Sequence, residues 1–415
     1  MCAALVGSAV SKQGFRVELA PTDEQRVLLG QHAGLSRLVE NFALERVKAA
    51  LDQREAEKTY GVAEGGLTPV PWSAPALESA WRAAHPVRFP WFTEAGLSSR
   101  VPKEACRVRA AGFRTFFDSR SGKRKGPKVG FPSWRKRKHG GRFRYDADRA
   151  KPVDTRTVRL PGVGSIATRE DMTWLVSRLA ESEARVLGAT VKERAGRWWI
   201  SFQIEVDRAE LDQRRAAPPD APACGVDLGL TTFATVVDSD GTVTEIRAPK
   251  LLKAALRKLR RANKALARSR RGSANRAKRR AEVARVHLRV AHRRTDFLHK
   301  TTTRLARTKS AVAVETLNIV GMAGNRRLAR AISDAGWGEF TRQLDYKARW
   351  YGSRVWKADR WFPSSKTCST PGCGQRHGGL TLAERTWTCT GCGTVHHRDR
   401  NAATNLLAAM LADAA

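Results

Sequence analysis

The sequence lacks any stretch that approaches the ~20 consecutive apolar residues of a membrane-spanning helix. Its apolar opening run, 1–10, has no charged leader and no convincing cleavage site, so it does not resemble a secretory signal. Acidic residues are scarce: 40 Asp and Glu stand against 76 Lys and Arg, which gives a net charge of +36. We therefore expect a soluble, intracellular protein with no membrane partner, and an excess this large is typical of proteins that bind polyanions.

Cysteine is also sparse, and four of the seven cysteines form two pairs near the carboxyl end: Cys368 with Cys373, and Cys389 with Cys392. Clustered pairs in an intracellular chain indicate a metal site rather than disulfides. Fifteen residues separate the pairs, which predicts a structural zinc ribbon with four thiolate ligands. Three nearby histidines are possible substitute ligands: His377, His396 and His397. The remaining cysteines are expected to be unligated: Cys2, Cys106 and Cys224.

The first third of the chain has the pattern of a strand followed by helices. We expect the strand at Phe15–Leu19, and Thr22 with Gln25 has the spacing of a capping box. Three stretches have apolar residues at helical spacing: 27–51, 76–84 and 102–117.

The next segment, 119–146, is dense in Lys and Arg and contains four aromatic residues: Phe131, Trp134, Phe143 and Tyr145. Basic side chains neutralise phosphates, and exposed aromatic rings stack on unpaired bases. The segment therefore predicts a contact with nucleic acid. The alternative is a solvated basic loop that its aromatic residues merely anchor.

Strand patterns follow over 156–206, with a hairpin signal at Ala195-Gly196 between two β-rich runs. Together with Phe15–Leu19, these strands predict a small β-barrel of the oligonucleotide-binding type, with the helices of 21–120 inserted into it. A Pro- and Ala-rich linker at 212–223 then leads to the second half of the chain.

The second half begins with an apolar strand that carries Asp227. A carboxylate in a buried strand costs several kcal/mol unless it is paired or binds a metal. Asp227 is therefore a candidate ligand, and the alternative is a structural Asp that caps a neighbouring loop. Asp238 and Asp240 are explained by turn chemistry. A later apolar strand ends at Glu315, and Asp399 lies at the start of an apolar helix.

These three acids, Asp227, Glu315 and Asp399, fit the chemistry of phosphodiester hydrolysis. Such sites hold two Mg²⁺ ions about 3.5–4 Å apart, and Mg²⁺ prefers hard oxygen ligands while it keeps some of its waters. An Asp on a strand that two antiparallel strands follow, then a Glu at a later strand end and an Asp at a helix start, is the order expected of an RNase H-like fold.

The segment 251–300 predicts two antiparallel helices broken at 271–273. It holds 18 Lys and Arg against two acidic residues, Glu282 and Asp296. This excess is too one-sided for pairing within the helices, so it favours contact with a phosphate backbone over a merely solvated face.

The segments FRVELAPTDEQ, GVDLGLTTFAT, AVAVETLNI and RTWTCTGCGTVHHRDRNAATNLL resemble the transposon-encoded TnpB family and the similar miniature type V CRISPR nucleases. The resemblance implies an RNA-guided DNA endonuclease with a split RuvC-like domain. A guide RNA would direct it to double-stranded DNA beside a short flanking motif. Asp227, Glu315 and Asp399 would be the catalytic acids and magnesium ligands, and the four paired cysteines would bind zinc.

On this basis we expect an α+β multidomain protein, a monomer in the cytoplasm of a prokaryote. The expected segments are a first barrel (wedge) part at 1–20, a helical recognition insertion at 21–145, a second barrel part at 146–211, the linker at 212–223, a first RuvC-like part at 224–363 that includes the basic helices 251–300, a zinc ribbon insert at 364–395, and a second RuvC-like part at 396–415.

Two positions depart from the family pattern. His397 replaces the first Asp of the usual His-Asp-Arg-Asp, which removes one auxiliary carboxylate and leaves Asp399 as the acid. The gap between Cys368 and Cys373 is longer than usual, which affects the expected shape of the zinc knuckle. Two other functions stay open: an RNA-guided repressor that binds DNA without cutting it, and a guide-independent nuclease or recombinase.

Overall fold

The chain divides into two units, Met1–Asp207 and Arg208–Ala415, and each has a hydrophobic core of its own. The computed structural model describes residues 10–137, 140–147, 149–207, 216–218, 220–381 and 383–414. Residues 212–215 and 219 of the predicted linker and most of the apolar run at 1–10 lie outside the described residues.

The first unit contains seven strands within its described residues: β1 (Val10–Leu19), β2 (Arg142–Asp146), β3 (Lys151–Asp154), β4 (Thr157–Leu160), β5 (Gly164–Ala167), β6 (Ala184–Arg194) and β7 (Arg197–Asp207). They form an antiparallel sheet in the order β1-β7-β6-β2 and a smaller one in the order β3-β4-β5. The predicted hairpin is confirmed: β6 and β7 meet at Ala195 and Gly196, whose φ angles of 56° and 77° suit a tight primed turn. Closure of these strands into a barrel stays a prediction.

The part of this unit that the structure describes also has five α-helices: α1 (Asp23–Thr59), α2 (Ala74–Arg88), α3 (Trp91–Glu94), α4 (Arg100–Arg120) and α5 (Thr173–Ala180). The first four lie in sequence between β1 and β2. The predicted capping box begins α1, because Gln25 N–H donates to Thr22 Oγ1 at 3.2 Å and Thr22 N–H donates to Gln25 Oε1 at 3.1 Å. Each bond satisfies a backbone donor that a helix start leaves unpaired.

The aromatic residues of the basic segment divide into anchors and one exposed ring. Phe143 and Tyr145 are buried on β2, and Phe131 packs against Trp72 and other core rings. The prediction that Phe143 and Tyr145 stack on bases is wrong, because the alternation of β2 turns both side chains into the core. Trp134 is the exception, with 42% of its surface exposed.

The second unit is built on a five-stranded sheet: β8 (Cys224–Leu228), β9 (Thr232–Asp238), β10 (Val243–Arg247), β11 (Ala311–Val314) and β12 (Arg354–Lys357). The strand order is β10-β9-β8-β11-β12. The first three strands are antiparallel, whereas β11 runs parallel to both β8 and β12. All four residues of β11 are buried, as expected of a strand in the middle of a sheet that is covered on both faces.

The turn after β9 partly confirms the interpretation of its acidic residues. Asp240 Oδ1 accepts the backbone N–H of Thr242 at 2.8 Å, which is the expected turn bond. Turn chemistry alone does not explain Asp238, because its buried carboxylate forms an ion pair with Lys309.

The described residues of this unit form six helices: α6 (Leu251–Ala267), α7 (Ala274–Thr308), α8 (Ile319–Ala323), α9 (Ala329–Ala335), α10 (Trp337–Tyr351) and α11 (Arg398–Ala414). The break between α6 and α7 contains the predicted 271–273. A short hairpin of β13 (Thr386–Thr388) and β14 (Val395–His397) lies within the cysteine-rich segment. Within the part of the chain that the structure describes, no helix is both long and apolar enough to cross a bilayer.

The last helix, α11, lies directly on the central strand β8. A Cβ atom added to Gly225 would lie 1.9 Å from the carbonyl oxygen of Ala403 and 2.8 Å from the amide nitrogen of Leu407. Only glycine permits this approach of strand backbone to helix backbone. On the same helix, Leu406 and Met410 pack in a core cluster with Ala313 of β11.

Candidate active site and cysteine cluster

Asp227 and Glu315 lie side by side near the carboxyl ends of two neighbouring parallel strands. Val226 of β8 is in register with Val314 of β11, so Asp227 and Glu315 occupy the next position along each chain. Strands that pair in a sheet lie about 4.8 Å apart. The two carboxylates are therefore neighbours at one edge of the sheet.

Asp399 joins them from the first turn of α11. The partial positive charge of a helix N-terminus favours a carboxylate there, and the contact of Gly225 with Ala403 holds this helix against β8. Burial, followed by repulsion from Glu315 and Asp399, raises the pKa of Asp227 well above its ordinary value. Burial also raises the pKa of Glu315. The structure thus brings together the three acids that the sequence singled out.

The carboxylates of Glu315 and Asp399 each accept hydrogen bonds from another side chain. Ser364 Oγ donates a hydrogen bond of 2.6 Å to Glu315 Oε1. Arg385 Nη1 donates to both oxygens of Asp399, at 3.1 and 3.3 Å. Attraction to the guanidinium of Arg398 lowers the pKa of both Asp227 and Glu315, but this effect is smaller than the rise that burial causes.

The three acids are partly buried. Asp227, Glu315 and Asp399 all keep part of their surface accessible, and the side chain of Asp399 is 16% exposed. Enclosure strengthens the electrostatic interactions of the site, while the remaining opening lets a ligand reach the oxygens. The arrangement can bind a divalent cation, since carboxylate oxygens are hard ligands that suit Mg²⁺.

The four paired cysteines converge on one point. The Sγ atoms of Cys368, Cys373, Cys389 and Cys392 all lie within 4.8 Å of one another. The separations from Cys368 to Cys392 and from Cys373 to Cys389 are both 3.6 Å. Four thiolates at a Zn–S distance of about 2.3 Å would be about 3.8 Å apart, so the cluster fits a tetrahedral zinc ion.

The other cysteines and the nearby histidines lie outside this set of four. Cys106 and Cys224 are buried and free, and Cys2 lies outside the described residues. His396 is buried, with Nε2 at 3.0 Å from Cys368 Sγ and its ring 4.8 Å from that of Trp387. With hydrogen on Nε2 it would donate to a metal-bound thiolate, a contact that orients a ligand without replacing it.

Two asparagines of α11 connect the cysteine cluster to the carboxylates. Asn401 Nδ2 donates to the carbonyl oxygens of Ser364 and Thr367 at 3.3 and 2.7 Å, and Asn405 Nδ2 donates to the same two oxygens at 2.8 and 2.7 Å. Asn401 Oδ1 accepts the N–H of Ser369 at 2.9 Å. The chain that enters the cluster is therefore held against the helix that carries Asp399, and Ser364 is held where it reaches Glu315.

Sequence reasoning did not assign these supporting residues: Ser364, Arg385, Arg398, Asn401 and Asn405. One signal was available for the asparagines. Asn is a poor helix former, so two of them four residues apart on one face of an otherwise apolar helix indicate a specific polar contact. The roles of the serine and the arginines depend on contacts between distant segments, which local spacing does not reveal.

Three family models match the chain. One described as OrfB_IS605, probable transposase, matches 201–326, and one described as Cas12f1-like, TNB domain, matches 337–406. A third, described as a helix-turn-helix domain, matches 11–56, where this structure has β1 and most of α1.

Full-length relatives extend the match over nearly the whole chain. A Mycobacterium tuberculosis protein that carries the provisional name RNA-guided DNA endonuclease is 36% identical over 419 residues, which cover 95% of this chain and 85% of that protein. A Streptomyces pristinaespiralis protein of the same provisional name is 36% identical over 405 residues, or 97% and 90% of the two chains. The chain belongs to the TnpB family. InsQ of Escherichia coli, also provisionally named as such an endonuclease, is 27% identical over 413 residues, or 96% and 92%.

Among solved structures, this TnpB-family chain matches a chain of the Cas12f1-sgRNA-target DNA complex. The TM-score is 0.49 at 11% identity, over 96% of this chain and 98% of that one.

The two departures from the TnpB pattern fall outside the core of the site. His397 is exposed at the end of β14. The long gap between Cys368 and Cys373 does not prevent the four sulfurs from meeting. The TnpB resemblance is confirmed by the relatives, whereas the catalytic role of Asp227, Glu315 and Asp399 stays a prediction.

Proposed function

We propose that this chain is an RNA-guided DNA endonuclease that hydrolyses target DNA, with Asp227, Glu315 and Asp399 as its catalytic acids. The observation that supports this most directly is the convergence of three carboxylates from two parallel strands and a helix start, where repulsion from Glu315 and Asp399 adds to burial in raising the pKa of Asp227. A fold that keeps such an unfavourable cluster retains it for a ligand that relieves it. The sheet order β10-β9-β8-β11-β12 suits an RNase H-like domain of the RuvC type.

Two magnesium ions are the cofactor that fits these residues. Asp227, Glu315 and Asp399 would hold them, because carboxylate oxygens are the ligands that Mg²⁺ prefers. When bound, such ions supply an activated water molecule and stabilise the leaving oxygen of the phosphodiester. The four cysteines would hold one structural zinc ion.

The protein's own groups keep the acids in a defined geometry. The hydrogen bond from Ser364 occupies one oxygen of Glu315 and leaves the other for a ligand. Arg385 fixes the orientation of the Asp399 carboxylate. Arg398 adds positive charge near Asp227 and Glu315, where a scissile phosphate would carry its negative charge.

Binding of guide RNA and double-stranded target DNA would use the positive charge of the rest of the chain. Helices α6 and α7 hold most of the strongly basic segment 251–300, which would follow the backbone of the guide–target heteroduplex. The predicted domain order would then assign the barrel and its helical insertion, 1–211, to recognition of the flanking motif. The zinc ribbon insert, 364–395, would contact nucleic acid near the cut.

A plasmid-cleavage assay with the ribonucleoprotein tests the assignment. RNA that co-purifies with the chain is sequenced to define the guide, and a plasmid with the matching target is incubated with Mg²⁺. We expect Asp227→Ala to abolish cleavage while guide-RNA binding survives. A matched control is Asp52→Asn, because Asp52 is exposed on α1 and its substitution is expected to leave cleavage unchanged.

Persistent cleavage by Asp227→Ala would refute the catalytic role of this residue. If the wild-type ribonucleoprotein binds its target tightly yet never cuts it with Mg²⁺, the protein is an RNA-guided repressor instead. Cutting that does not depend on the co-purified RNA would favour a guide-independent nuclease.

A further inference from the structure

The first unit contains a basic cleft that is lined in part by Trp134, the exposed aromatic residue of the basic segment 119–146. The cleft has a volume of about 310 Å³, and the residues that matter for binding are Glu40, Arg109, Trp134, Arg135, Arg142 and Lys192. These residues come from α1, α4, the basic segment, β2 and β6. We call this site the Trp134 cleft.

The charge of the Trp134 cleft is not balanced. Glu40 is the one carboxylate among its lining residues, and it faces three guanidinium groups and one ammonium group, which leaves a charge of +3. Arg109 is 7% exposed and donates to the carbonyl oxygens of Glu40 and Ser133 at 2.9 and 3.2 Å. Burial lowers the pKa of both Arg109 and Arg135, so positive charge is held in the cleft at a cost that an anion would offset.

Part of the cleft is explained by anchoring of the basic segment. Arg135 pairs with Glu40, its N–H donates to Asn41 Oδ1 at 2.8 Å, and its carbonyl oxygen accepts from Asn41 Nδ2 at 3.1 Å. These contacts fix the segment to α1 without help from Arg142 or Lys192.

The side chains of Arg142, Lys192 and Trp134 are not needed for this anchoring. The side chain of Arg142 is 48% exposed and reaches Glu40 only at 3.4 Å. Lys192 is exposed, and within the described part of the chain it has no hydrogen-bond or ion-pair partner. Trp134 is 42% exposed, with Lys48 Nζ over its ring at 5.7 Å from the centroid.

We propose that the Trp134 cleft binds a phosphodiester of a nucleic acid strand through Arg142 and Lys192 and stacks an adjacent unpaired base on Trp134. Cationic side chains replace counterions at a phosphate, and an indole offers a π-face to any base. A free inorganic anion would use the cations but not the ring. This inference goes beyond the catalytic assignment, since it concerns another unit and requires no hydrolysis.

The proposal is tested by equilibrium binding of the full chain, freed of nucleic acid, without Mg²⁺. Three fluorescently labelled probes of one sequence are compared by anisotropy: single-stranded RNA, single-stranded DNA and duplex DNA. We expect Trp134→Ala to weaken single-strand binding about 10-fold or more and to affect the duplex less. Trp134→Phe keeps a ring and is expected to restore most of the affinity. Trp91→Ala is the matched control, because Trp91 is 43% exposed in the same unit.

A second variant tests the cations and remains informative if Trp134→Ala unfolds. The double change Arg142→Gln with Lys192→Gln is expected to lower the slope of log Kd against log salt by about 1.4 for single strands. Lys58→Gln, an exposed lysine at the end of α1, controls for the loss of one surface charge.

The probes also separate the two sources of this ligand. A larger loss for RNA identifies the guide, and a larger loss for DNA identifies an unpaired DNA strand. Wild-type affinity of both variants for both single strands overturns the proposal, as does an equal loss in Trp91→Ala. Because binding is measured without Mg²⁺, failure of the catalytic assignment would not alter these results.

Discussion

Gly225 and Ala403 bring strand β8 and helix α11 into backbone contact. A Cβ atom at position 225 would lie only 1.9 Å from the carbonyl oxygen of Ala403. Because Asp227 lies two residues further along the strand and Asp399 one helical turn before Ala403, this contact fixes how far apart the two carboxylates are.

Gly225→Ala is expected to destabilise the second unit. The added methyl group meets helix backbone rather than a movable side chain, so strand and helix must separate, at a cost of about 3 kcal/mol or more. Thermal unfolding and cleavage are measured together, and both should fall. The control is Gly30→Ala in α1, where nothing lies within 4 Å of the new Cβ and a gain of about 1 kcal/mol is expected. An unchanged melting temperature for Gly225→Ala would contradict the contact.

Asp227→Asn is expected to raise the melting temperature of the metal-free protein at neutral pH while it abolishes cleavage. The raised pKa of Asp227 means that its ionised form costs stability in the folded state. The wild type therefore loses stability relative to the variant as pH rises above the ordinary Asp value of about 3.9. Added Mg²⁺ should stabilise the wild type more than the variant. Equal melting temperatures from pH 4 to 7 would argue against the repulsion; Asp52→Asn should show no such difference.

Cys389→Ser is expected to lose bound zinc and to destabilise the segment between Cys368 and Cys392. Removal of one thiolate leaves an incomplete tetrahedral site. Zinc content per chain, measured by atomic emission after gel filtration, should fall from one to near zero. Cys106→Ala removes a buried cysteine outside the cluster and should keep full zinc content. Wild-type zinc content in the Cys389 variant would exclude this ligand.

Asn401→Asp is expected to weaken the hold of α11 on the chain that enters the cysteine cluster. A carboxylate cannot donate to the carbonyl oxygen of Thr367, 2.7 Å from Nδ2, and a lost buried hydrogen bond costs about 1–3 kcal/mol. Cleavage should fall with stability, because Ser364 loses its support. Asn318→Asp is the matched control: Asn318 caps α8 through its side-chain oxygen, and Asp caps equally well. Equal behaviour of the two variants would contradict the role of Asn401.

Lys347→Met is expected to stabilise the protein, by an amount that shrinks as pH rises from 8 to 10.5. Lys347 is 4% exposed, and its ammonium donates to His299 O, Thr302 Oγ1 and Thr303 Oγ1 at 2.7, 2.9 and 2.7 Å. Burial lowers its pKa from 10.5 to about 8. Since the unfolded chain binds more protons over this range, wild-type stability rises with pH. Melting temperatures of both proteins across this range give the difference; a constant difference would rule out the shifted lysine.

The sequence was most informative where local chemistry decides the structure. The buried strand at 311–314, the turn at Asp240 and the capping box of Thr22 were all predicted from neighbouring residues. The burial of Phe143 and Tyr145 was not, because it depends on which face of β2 meets the core. The register of Val226 with Val314 also joins segments far apart in the chain. The convergence of Asp227 with Glu315 was expected only through their similar settings and the family resemblance.

Strand β14 ends at His397 and helix α11 begins at Arg398, with no residue between them. The cysteine-rich segment therefore joins the helix that carries Asp399 without a linker, and Asn401 and Asn405 hold the chain that enters the segment against that helix. Under the proposed function, contact of this segment with nucleic acid and the position of the Asp399 carboxylate would therefore be coupled.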